Sequence, residues 1–267
     1  MTKYNKRNKI KNVGGNFMEY YELIIQSYLK QNMHYKGVPE YLGSLINYCM
    51  LRDEKLEKLH NAKGLKGYVF NTLTPFEKDG MYKQNNIYQF SIRSINLDIL
   101  KRIQNAIKNI NNDEMAIVNT TLTTWHQKYM ESLYTYTPSV LTLKEDEVPE
   151  KLKKIKSSSK YWVNGCSNKV LVDRIEKNMI KKYNFFTGNN IENISVVSDI
   201  QVLNEYPILI KYKKANVMAN KFLIKIENSK LAQDIAFITL ATGLLEKGSS
   251  IGCGFCQGNY YKEVMER

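Results

Sequence analysis

Apolar and polar positions run along the chain in short blocks that change period. "EYYELIIQSYL" (19–29) mixes aromatic and β-branched residues and reads as a strand. In "VPEYLGSLINYCML" (38–51), Leu42, Leu45, Ile46 and Cys49 recur at helical spacing behind Pro39, which suits a first helical turn. "DEKLEKLH" (53–60) predicts a second short helix with Asp53 as its cap. Strands follow over "KGYVFNTLTPF" (66–76) and "NNIYQFSIRSI" (85–95). The stripe Leu97, Leu100, Ile103, Ile107 and Ile110 makes 96–110 an amphipathic helix, and "MAIVNTTLTTW" (115–125) is a closing strand. The order β, α, β, β, α, β is that of a ferredoxin-like unit.

The second half repeats the order with one strand more. Strands are predicted over 133–143, 193–203, 207–217 and 218–227, helices over 168–186 and 229–245, and a last strand near 253–261. The fold expected is α+β: two tandem ferredoxin-like (βαββαβ) domains, antiparallel sheets with helices on one face, and a glycine-rich loop near the C-terminus. The expected boundaries are a basic N-terminal extension at 1–17, one domain at 18–127 and a second at 128–267, with the linker near 126–132.

Length and composition fit this division. The 267 residues allow two domains of roughly 100–130 residues. The N-terminal 17 residues are basic but lack the apolar stretch of a signal peptide, and no apolar run approaches the roughly 18–20 residues that cross a bilayer. A cytoplasmic protein without membrane attachment is expected. The formal net charge of +13 points to a polyanionic partner, nucleic acid ahead of a membrane surface. The 19 tyrosines suit contact with unstacked bases, although AT-rich coding also enriches tyrosine alongside Lys, Asn and Ile.

Cys253 and Cys256 form a CxxC, but a structural zinc needs two further ligands at matching spacing, and His34, His60 and His126 are scattered. Two small residues near the last strand is the simpler reading, so neither metal nor cofactor is expected. A basic run, Lys151, Lys153, Lys154, Lys156 and Lys160, lies beside Ser157–Ser159, Tyr161 and Trp162. It suits either phosphate contact or a solvated linker.

"GLLEKGSSIGCGFCQGNYY" (243–261) holds five glycines in its first sixteen residues. Bare backbone lets N–H groups approach a phosphate, and Lys247, Ser249 and Ser250 add charge and hydroxyls. A dinucleotide-binding GxGxxG lies between a strand and a following helix; this stretch lies between a helix and a following strand. A Walker motif fails because Gly248 is followed by Ser249 rather than lysine. A helix C-cap needs one or two glycines, not five.

This stretch resembles the C-terminal glycine-rich loop of the CRISPR-associated endoribonucleases that cut repeat RNA into guide RNAs. Gly243, Glu246, Lys247, Ser249 or Ser250, Gly252 and Gly254 fit the pattern. Leu245 stands where the second glycine is usual, and the stretch is one residue longer around 248–250. "LHNAKGLKGYVF" (59–70) independently resembles the family's "LH…KG.K" segment ahead of a strand. The resemblance spans nearly all of 18–261. It implies RNA cleavage by the adjacent 2′-OH, leaving 5′-hydroxyl and 2′,3′-cyclic phosphate ends without a metal, with precursor and mature repeat RNA as partners. Other subunits of an effector complex, and a monomeric or homodimeric state, are also expected.

By the matched motif His60 and Lys66 take the catalytic histidine and lysine positions. Histidine suits proton transfer near neutral pH and lysine suits charge stabilisation. A third group on the first helix falls at Asn47 or its neighbour Tyr48; Tyr48 is the candidate because it alone can transfer a proton. The RNA-binding candidates are Lys247, Gly248, Ser249, Ser250, Gly252 and Gly254. A non-catalytic RNA-binding scaffold on the same fold is the alternative, and His60 with Lys66 argues against it.

Overall fold

The computed structural model describes residues 18–153 and 160–261. The basic extension at 1–17, and Lys154, Lys156 and Ser157–Ser159 of the basic run, lie outside the described residues.

The first unit runs β1 (Glu19–Leu29), β2 (Met33–His34), α1 (Val38–Met50), α2 (Glu54–Asn61), β3 (Tyr68–Phe70), β4 (Met81–Tyr82), β5 (Ile87–Ser94), α3 (Leu97–Ile107) and β6 (Met115–His126). Its antiparallel sheet has the order β3-β5-β1-β6, and β2 and β4 pair in a separate ribbon. The second unit runs β7 (Met130–Thr135), α4 (Glu150–Lys153), α5 (Asn168–Thr187), β8 (Val197–Val202), β9 (Ile208–Tyr212), β10 (Ala215–Ala219), β11 (Phe222–Ile226), α6 (Lys230–Thr242), α7 (Gly248–Ile251) and β12 (Cys256–Tyr260). Its sheet order is β12-β7-β11-β8, again antiparallel. Counting only sheet strands, both units place the fourth beside the first and the third between first and second. That is the ferredoxin-like order twice.

Local chemistry sets the helix ends. Asp53 accepts from the N–H groups of Lys55 and Leu56 and starts α2. Asn96, Ser167 and Ser229 do the same for α3, α5 and α6. Alternation on β1 turns Leu23, Ile25 and Leu29 into a core with α1 and α3, while Tyr20 and Glu22 face the other way.

That other face is covered by α6. Ten of its thirteen residues are buried, on every side of the helix, because it lies between the two sheets. Tyr20 of β1 packs on Phe237 of α6 with ring centroids 5.1 Å apart. Arg93 of β5 pins the junction: Nη1 donates to the Cys256 carbonyl at 2.7 Å, Nε lies 3.1 Å from the Glu22 carboxylate, and its guanidinium covers the Phe255 ring at 4.2 Å.

Two expectations change. The segment 66–76 pairs as a strand only over Tyr68–Phe70, apart from an isolated bridge at Thr74. The stretch read as strands 207–217 and 218–227 divides instead into hairpin β9–β10, set apart from the sheet, and strand β11. The hairpin turns at Lys213–Lys214, with Lys213 at a positive φ of 54°. Lysine is not a signature turn residue, so nothing in the sequence announced the reversal.

Candidate nucleic-acid interface

The junction of the two units carries a cleft of about 310 Å³ lined by α1, the end of α2, the start of β3, the β9–β10 turn and α7. Glycine chemistry brings these parts together. A Cβ on Gly43 would lie 2.1 Å from the Ser250 carbonyl, so only glycine lets α1 abut α7. The Tyr68 hydroxyl donates across the junction to the Ser249 carbonyl at 3.2 Å. Burial holds this phenol protonated by pushing its pKa above the ordinary value.

His60 and Lys66 both line this cleft. His60 sits in the last turn of α2, and its imidazole has no partner among the described residues. The Lys66 ammonium donates to the carbonyls of Leu59 (2.7 Å), His60 (2.8 Å) and Ala62, closing the C-terminus of α2. Partial burial lowers its pKa.

The third candidate, Tyr48, does not line this cleft. Asn47 faces the cleft with Gly43 and Ser44, whereas Tyr48 lies one step round α1, outside it. The rotation of α1 is fixed by the buried stripe Leu42, Leu45, Ile46 and Cys49. Tyr48 is 45% exposed beneath the Arg52 guanidinium, which stands 4.2 Å from its ring centroid.

The glycine stretch divides into a buried and a half-buried part. Gly252 and Gly254 are buried. A Cβ on Gly252 would lie 2.7 Å from the Phe70 carbonyl, and one on Gly254 would lie 2.0 Å from that of Leu244. These glycines admit the protein's own backbone, not a phosphate. Glu246 is likewise engaged internally: its carboxylate accepts from the Thr142 hydroxyl at 2.8 Å. Lys182 of α5 points its ammonium at the carbonyls of Thr242, Gly243 and Leu245, closing α6 where the stretch begins.

The half-buried part is 246–250. Ser249 and Ser250 line the cleft, and the N–H groups of Gly248 and Ser249 have no partner among the described residues. Lys247 stands 5.0 Å from the Tyr212 ring centroid, and Lys213 5.6 Å from it. Glu40 accepts from the Lys213 N–H at 3.1 Å and ties the hairpin to α1. Reading the hairpin as straight strands hid this wall of the cleft.

The Cys253 and Cys256 thiols are buried, and burial pushes both pKa values up to about 12. Among the described residues no group of three or more His, Cys, Asp or Glu could hold a metal ion, and no helix is long and apolar enough to cross a membrane. His126 pairs with Glu19 at 3.1 Å, far from the cleft on the chain's first sheet.

No family model and no curated protein matches the sequence. Solved structures do match in three dimensions. A "CRISPR associated protein Cas6" aligns at a TM-score of 0.64 and 17% identity over 90% of this chain and 99% of its own. The protein described as "An RAMP protein binding different RNA substrates" aligns at 0.67 and 15% over 89% and 99%. A Cas6-related protein from Pyrococcus furiosus aligns at 0.63 and 17% over 91% and 100%. The chain has the Cas6 fold. The likeness covers about nine tenths of this chain, enough to span both ferredoxin-like units.

Proposed function

We propose that this protein is an endoribonuclease that cuts CRISPR repeat RNA at the junction cleft. The observation carrying the reading is the convergence of His60, Lys66 and Asn47 with Ser249 and Ser250 around one cavity. These residues come from both units and lie far apart in the sequence.

The chemistry follows from the groups present. The 2′-OH is already tethered beside its phosphate, so the attack is intramolecular and needs no metal-bound nucleophile. His60, with its free imidazole, moves the proton at the 2′ oxygen or the leaving 5′ oxygen. Asn47 orients the 2′-OH by hydrogen bonding, which leaves proton transfer to His60. Lys66 stabilises the charged phosphorane by releasing one or more α2 carbonyls and turning into the cleft. Lys247, the Gly248 and Ser249 N–H groups and the Ser249 and Ser250 hydroxyls receive the RNA backbone.

Repeat transcript incubated with the protein in excess chelator tests this. The expected products carry a 5′-hydroxyl and a 2′,3′-cyclic phosphate, and a single 2′-deoxy sugar before the cut blocks cleavage while preserving binding. A requirement for magnesium, or normal cutting of the deoxy substrate, overturns the mechanism. A non-catalytic repeat-binding subunit is the second reading. It is favoured by one observation, the Lys66 ammonium fully engaged with α2 carbonyls. Intact transcript bound tightly would select it.

A further inference from the structure

A second groove, of about 530 Å³, lies on the other side of α1 between that helix and the α3–β6 connection. Its floor holds Tyr41, Tyr48 and Arg52 from α1 and its flank, and Asn109, Asn111 and Asn112 from the connection. Ser44 lines both this groove and the cleft, so the two adjoin across a single residue of α1.

The chemistry of the groove is that of a nucleobase site. Tyr48 is exposed, with the Arg52 guanidinium over its ring. The exposed Asn109 and Asn111 amides have no side-chain partner among the described residues. Free amides present the donor and acceptor pair that base edges require. Asn112, by contrast, is engaged: it donates to the Tyr41 hydroxyl at 3.1 Å and accepts from the Glu114 and Met115 N–H groups, so it braces the wall. Asp113 and Glu114 flank the asparagine end, which disfavours phosphate there. Among the described residues, Arg52 is the only cation lining the groove, and its guanidinium lies over Tyr48.

We propose that this groove binds an unpaired nucleotide of the RNA, its base stacked on Tyr48 with its edge at Asn109 or Asn111 and its phosphate at Arg52. The inference rests on the RNA-cleaving reading above. The strand leaves the cleft over Ser44 and enters the groove, so the site reads a nucleotide beside the cut. Tyr48 acts in grip and register, not in proton transfer.

The probes are a 5′-labelled uridine hexanucleotide and the same ribose-phosphate chain with abasic positions, measured by fluorescence anisotropy. Tyr48→Ala is expected to weaken hexanucleotide binding roughly tenfold, the usual worth of one base on an aromatic ring. It should leave abasic binding unchanged, and Tyr48→Phe should bind as wild type. Hexanucleotide carrying 4-thiouridine should crosslink within 41–52 or 109–112. Equal binding by wild type and Tyr48→Ala, an equal loss on the abasic chain, a crosslink elsewhere, or no hexanucleotide binding by wild type each overturns the proposal. An uncut repeat transcript alone would sink the nuclease reading and leave this result standing.

Discussion

Two lysines do the same local job at different depths. Lys66 closes the end of α2 by donating to three carbonyls, and Lys182 closes the end of α6 in the same way. Lys66 lies at the rim of the cleft, where water can replace it at any carbonyl it leaves. Lys182 is 4% exposed beneath the glycine stretch, where no replacement is available. A cap that solvent can substitute is free to take a second role; a cap that solvent cannot reach is committed to the fold.

The largest expected effect separates chemistry from fold at the rim. His60→Ala should slow single-turnover cleavage by roughly 10²–10⁴, the usual range for a general acid or base. Lys66→Met should slow it as well, with less than about 1 kcal/mol lost in denaturant unfolding, because water satisfies the released carbonyls. A large stability loss in Lys66→Met with normal cleavage would erase the distinction drawn between the two lysines.

Next is the deep cap. Lys182→Met leaves buried carbonyls unpaired and should lower unfolding free energy by about 3 kcal/mol, read from urea titration. Cleavage by whatever protein remains folded should fall less than in the His60 variant.

The glycines sort by the same contrast. Gly252→Ala, at φ 68° and against Phe70, should destabilise by about 2 kcal/mol. Gly248→Ala has no positive φ but would press on the Cys253 carbonyl at 3.2 Å and Val69 at 3.3 Å, so it should lower the unfolding midpoint by less than Gly252→Ala does.

The smallest effect is a pH signature. Burial pulls the Lys182 ammonium down to about 8 from an ordinary 10.5. Below pH 8 both folded and unfolded chains hold this proton, and the folded state bears the cost of a buried charge. Between 8 and 10.5 the unfolded chain binds more protons, so stability rises with pH by this term. The buried Tyr20 and Tyr68 phenols have raised pKa values and act oppositely, but only once unfolded tyrosines ionise near pH 10. Wild type should therefore gain on the order of 1 kcal/mol over Lys182→Met between pH 8 and 9.5. Parallel curves for the two would refute the assignment.

Much of this frame was legible in the sequence, and the reason differs by element. The start of α2 was readable because Asp53 is a chemical cap, and α3 because its stripe is regular. His60 and Lys66 were found through a motif and do share the cleft. Asn47 rather than Tyr48 lines the cleft because adjacent residues on a helix differ by about 100° in direction, and packing of the whole stripe sets which one faces it. Glycine density marks the segment at the junction, but not which glycines face outward. A glycine that admits Phe70 and a glycine that admits a phosphate are the same letter. The β9–β10 turn and the Lys182 cap left no local signal, since both depend on contacts distant in the chain.

The position of α6 between the sheets has a consequence during synthesis. The first sheet is complete at His126, yet the helix that covers its second face begins at Lys230, 104 residues later (230 − 126). At about 5–20 residues per second the ribosome takes roughly 5–20 s to make that span. Through that interval the nascent chain presents Tyr20 and its neighbours to solvent or to a chaperone. Chains stalled before residue 230 should bind a hydrophobic dye that the released full chain does not.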